Sequence, residues 1–198
     1  MDDTDARRAQ REIAELHRMV DAAFLDPRRV PPELADAGGR VQLRIWERPS
    51  FDIHRCWAVW GAGPKHKPAS EVALVRRLAW RRDIDFEGRG NPLGRLRRLG
   101  EKLELTIEVD DGRLVPGEVS RRLSLLPPLE SPSSLIDRPR GFMLDGTRYG
   151  LELDAGVSLI RVEWSGAGPD WSASDSTYDP VADWASAFTD WLDKELDG

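Results

Sequence analysis

One cysteine in 198 residues, Cys56, excludes an intrachain disulfide framework. With only three scattered histidines beside it, there is no spacing that would build a structural zinc site. A lone cysteine fits a reducing, intracellular setting. Nowhere do about 20 apolar residues run together, so no membrane-spanning helix is expected. Met1-Asp2-Asp3-Thr4-Asp5 carries neither the basic region nor the apolar run of a signal peptide, and a cytoplasmic location is expected.

Catalytic signatures are also missing. There is no Gly-x-Ser-x-Gly elbow, no His-Glu-x-x-His pair and no P-loop. Gly88-x-Gly90-x-x-x-Gly94 has the wrong spacing for a dinucleotide fingerprint, and Pro92 occupies the turn that should open a helix. His54 and Cys56 lie two apart on a strand pattern, where side chains diverge, so they do not form a Cys–His nucleophile. No cofactor is implied.

What the chain has in quantity is core-forming material. Hydrophobic residues make up 40% and charged residues 32%, an ordinary globular balance. A chain of this length buries roughly 70% of its unfolded surface. Eight tryptophans are the compositional oddity, and Trp80, Trp164, Trp184 and Trp191 fall at inward positions of the patterns below.

The clearest pattern is a hairpin over 147–164. Tyr149, Leu151 and Leu153 alternate with polar neighbours, Ile160, Val162 and Trp164 do so again, and Asp154-Ala155-Gly156 forms the loop. Upstream, Ala9, Ile13, Leu16, Val20, Ala23 and Phe24 follow the helical period until Asp26-Pro27. Val41, Leu43 and Ile45 mark a strand ended by Pro49. His54 to Trp60 is apolar on both sides, as a strand inside a sheet would be. Over 72–87 the even positions read as one long strand with a bend near Arg81-Arg82. Leu103 to Val109 reads as a strand with Asp110-Asp111-Gly112 as its turn, Pro116 to Leu126 as a helix, and Phe142 to Leu144 as a strand preceding the hairpin. Asp179-Pro180 supplies a cap and a first-turn proline for a closing helix. In that helix Val181, Trp184, Ala185, Phe188, Trp191 and Leu192 lie inward and Asp183, Asp190 and Asp193 outward.

These elements assemble as a single α+β domain over 1–198: a largely antiparallel sheet, a meander of hairpins, with the N- and C-terminal amphipathic helices packed on one face. A subdivision could fall near 110–116 or 127–140.

Charge is unevenly distributed. Residues 55–100 carry eleven Lys and Arg against four Asp and Glu, whereas residues 149–198 hold two basic and eleven acidic side chains. Trp171 stands in a polar loop, as an interface anchor would. With Asp183, Asp190 and Asp193 it suggests an acidic surface for a protein partner, and Arg95, Arg97 and Arg98 form the one concentrated basic cluster. The reading is therefore a small protein-binding module, an accessory, inhibitor or immunity-type protein, more readily than an enzyme. One alternative is a metal-dependent hydrolase using Asp83, Asp85 and Glu87, whose carboxylates alternate along the long strand. Another is nucleic-acid binding through the Arg-rich segment 65–98.

Overall fold

A computed structural model gives the fold and describes residues 3–24, 31, 39–49, 53–61, 73–86, 105–128, 147–154, 159–166 and 180–198. Among the described residues, six strands form one antiparallel sheet. They are β1 (Arg40–Pro49), β2 (His54–Gly61), β3 (Ala73–Trp80), β4 (Ile107–Leu114), β5 (Thr147–Asp154) and β6 (Leu159–Gly166), in the spatial order β4-β3-β2-β1-β5-β6. The helices are α1 (Asp3–Phe24), the short α2 (Arg82–Phe86), α3 (Pro116–Leu123) and α4 (Pro180–Asp197). The expected hairpin is β5 and β6, paired from Thr147 opposite Gly166 to Asp154 opposite Leu159. Its connecting loop and the expected strand at Phe142 to Leu144 lie outside the described residues.

Side chains alternate across a sheet, and here both faces are covered. On one face Leu43, Ile45, Trp57, Val59, Val75 and Leu151 pack with Ala185, Phe188, Trp191 and Leu192 of α4 and with Val119 of α3. On the other, Trp46, Cys56, Leu78 and Trp80 pack with Leu16, Val20 and Phe24 of α1, a stripe four residues apart along the helix. Trp57 and Cys56 are chain neighbours and belong to different clusters, which places the two terminal helices on opposite faces. The expectation that both share one face is thereby corrected. A strand apolar on both sides, such as β2, needs a cover on each.

The 72–87 stretch is corrected too. The strand ends at Trp80, and Ile84 and Asp85 donate their backbone N–H groups to the Arg81 carbonyl, winding α2. Arg81 N–H donates to the Thr106 carbonyl at 2.9 Å, so the chain turns out of β3 where the residues leading into β4 arrive. Asp110-Asp111-Gly112 is likewise no turn but the middle of β4, opposite Arg77, Arg76 and Val75 of β3. Both carboxylates are held there by cross-strand arginines, a pairing that a sequence read locally does not contain.

Across β1 and β5, Trp46 sits opposite Gly150, and a Cβ at Gly150 would overlap the indole ring. Glycine is required there by close approach rather than by a turn. The Arg161 guanidinium lies 4.9 Å and that of Arg48 5.7 Å from the centre of the same ring, and Arg48 in turn pairs with Asp21 of α1.

Candidate functional site

The outer surface of α4 is built by the helical period of 180–197. Phe188 and Leu192 are fully buried, the Trp184 ring lies tilted at 37° with its centre 4.8 Å from that of Phe188, and Phe188 meets Trp191 edge-on at 5.3 Å. Trp184 also donates its indole N–H to the Arg122 carbonyl at 3.1 Å, and the Arg122 guanidinium lies 4.5 Å from the Trp191 ring centre. Aromatic contacts of this kind fix the helix in rotation as well as position. Asp183 and Asp190 are consequently exposed, as their spacing implied.

Asp193 behaves differently. Its Oδ1 accepts from Trp57 Nε1 at 2.6 Å and from Arg77 Nη1 at 2.9 Å. Arg77 also donates to Asp110 Oδ2 at 3.1 Å and to Asp197 Oδ1 at 3.4 Å. Burial alone would lower the Arg77 pKa, but the hydrogen bonds it donates to Asp193 and Asp110 outweigh that and hold the guanidinium above its ordinary value. Asp193 is therefore an internal tie between α4 and the sheet, not an outward carboxylate, because the seam of an amphipathic helix can turn toward a basic residue beneath it.

The basic segment is partly consumed in the same way. Arg76 makes a bidentate pair with Asp111, both bonds 2.6 Å, and Arg81 pairs with Glu108 at 2.5 Å. Arg76 and Arg77 lie on opposite faces of β3, so they form no common basic patch. Arg95, Arg97, Arg98 and Trp171 lie outside the described residues.

The carboxylate alternative loses its geometry. Asp83 and Asp85 belong to α2 rather than to a strand, and residues two apart on a helix project about 200° apart. Asp85 is already engaged: Oδ2 accepts from Trp80 Nε1 at 2.6 Å and from the Thr106 N–H at 3.1 Å, and Oδ1 from the Thr106 hydroxyl at 2.6 Å. The Asp83 side chain and Glu87 are outside the described residues. Among the described residues no group of three or more His, Cys, Asp or Glu is placed to hold a metal ion.

His54 and Cys56 are both buried, Cys56 in the cluster beneath α1 and His54 edge-on to Trp80 at 5.0 Å. Burial pushes the Cys56 thiol up to about 12, so it stays protonated at neutral pH. Among the described residues no helix is long and apolar enough to cross a membrane.

Two relationships were invisible in the sequence: the Arg77 hub, whose partners stand 33, 116 and 120 positions away, and the Asp21–Arg48 tie between α1 and β1. No local signal announces either, since each needs the strand order before its partners can be named. No protein-family model matches the chain, and no curated protein or solved structure shows significant similarity to it.

Proposed function

We propose that the chain is a small cytoplasmic protein-binding module, of accessory, inhibitor or immunity type, that offers the outer face of α4 to a basic protein surface. The observation that carries this reading is the division of labour among the α4 carboxylates. Asp193 and Asp197 face Arg77, whereas Asp183 and Asp190 stand exposed on a helix held by three aromatic side chains. A charged helix that is already rigid loses little conformational entropy on docking, and an acidic face steers a basic partner. Arg76, Arg77 and Arg81 are committed to carboxylates and Asp85 to Trp80 and Thr106, so nucleic-acid binding and metal-dependent hydrolysis draw less support.

The test is a tagged pull-down from the native host at physiological salt after nuclease treatment, repeated with Asp183→Lys/Asp190→Lys. A stoichiometric protein retained by the wild type and lost by the double variant is the expected result. A partner retained equally by both, or one removed by nuclease, overturns it.

A further inference from the structure

We infer that β6 is a self-complementary edge through which two copies of this chain join their sheets. The sheet order leaves β6 paired to β5 on one side, and no strand among the described residues pairs with its other side. An open strand edge is a template for another strand, so the question is which strand fits.

The residues of β6 answer it. Ile160, Val162 and Trp164 share the face covered by α4, opposite Leu153, Leu151 and Tyr149, and all three are half-buried where that apolar layer runs out toward the edge. Arg161 and Glu163 occupy the other face with side chains 48% and 55% exposed. Two antiparallel strands related by a two-fold axis normal to the sheet must place one residue opposite its own copy, because residues that face each other across the pair exchange places under that axis. Centring on Arg161 sets arginine against arginine, and centring on Glu163 sets glutamate against glutamate. Centring on Val162 sets Arg161 opposite the second copy's Glu163, and the reverse, while Ile160 meets Trp164 in a continuous apolar row. Like charges directly opposed are destabilising and opposite charges or aromatic–aliphatic pairs stabilising, so the register centred on Val162, which gains both kinds of pair, is favoured over the other two. The other outer strand is built differently. In β4, Asp110 and Asp111 are already held by Arg77 and Arg76 of the neighbouring strand.

Within one copy Arg161 also bonds Glu163, at 2.6 and 3.0 Å. The experiment must therefore separate the pair inside a copy from the pair between copies. Sedimentation equilibrium of the full chain over a wide concentration range is expected to show a mass rising from 22.3 kDa toward twice that value. Arg161→Glu and Glu163→Arg each oppose like charges twice across the axis, and each is expected to weaken self-association by roughly tenfold or more. Mixed together, the two variants form a heterodimer, because each carries the charges that the other lacks, although neither retains the pair within its own chain. Circular dichroism melts of both variants establish that they are folded. A wild-type mass fixed at 22.3 kDa at every concentration overturns the inference. Single variants that associate as well as wild type, or that fail to combine when mixed, overturn it as well. None of these outcomes depends on Asp183 or Asp190, so they leave the α4 reading to its own test.

Discussion

The Trp57 indole N–H donates to Asp193 at 2.6 Å, linking the middle of the sheet to the last turns of α4. The same oxygen accepts from Arg77, so one carboxylate satisfies two donors that the helix would otherwise cover. Asp193→Ala removes both bonds and leaves a covered indole N–H and a guanidinium short of a partner. The expected loss is about 1 to 3 kcal/mol in urea unfolding, with Asp193→Asn losing less because its amide oxygen still accepts. An unchanged midpoint in Asp193→Ala would make the residue a surface group after all.

The docking of α4 rests on aromatic burial. Phe188 is 2% exposed and lies between Trp184 and Trp191, and Phe188→Ala is expected to cost about 3 to 5 kcal/mol. Against a total stability of about 5 to 15 kcal/mol, that variant should melt far below wild type. A calorimetric shift of only a degree or two would refute the packing.

Cys56 offers a clock for opening of the α1 face. Its thiol is buried and held protonated, so labelling by an aromatic disulfide reagent should proceed only as fast as the chain opens, and denaturant should accelerate it. Labelling at the rate of a free thiol would mean that α1 does not cover it.

Acid sensitivity is expected at α3. Hydrogen bonds from Arg121 and Arg122 hold the Glu118 carboxyl down at about 2 against an ordinary 4.5. A depressed folded-state value means that the contribution is complete above about 4.5 and disappears as pH falls toward about 2. The difference in unfolding free energy between wild type and Glu118→Gln should therefore be largest at neutral pH and shrink through that window. A difference that grows on acidification contradicts the pairing.

Asp85 separates structural from metal-binding use of a carboxylate. With its three accepted hydrogen bonds, Asp85→Ala is expected to lower stability by about 1 to 3 kcal/mol, equally with and without added divalent cations. A cation-dependent melting temperature that this substitution abolishes would return weight to the hydrolase alternative.

What could be read from the sequence follows the range of the interactions concerned. The β5–β6 hairpin and α4 are written in periodicities spanning a few residues, and they were legible. The 72–87 stretch was not, because its even-position pattern continues past Trp80 while the chain is turned by a contact with Thr106, 25 residues on. Asp110-Asp111-Gly112 has the composition of a turn, yet Arg76 and Arg77 hold it as strand. The side of the sheet taken by α1 depends on which face of β2 carries Cys56, and an apolar strand with two similar faces does not say. Among the site residues, the outward Asp183 and Asp190 followed from helical spacing, whereas Asp193 was misplaced because its partners, Trp57 and Arg77, come from another layer.

The close approach of Trp46 to Gly150 restricts how this protein can vary. Any side chain at 150 would force the indole out from between β1 and β5 and disturb Arg48 and Arg161 beside it. Change at 150 is thus admissible only after a smaller residue has taken position 46, which makes the order of change at two positions more than a hundred residues apart one-way.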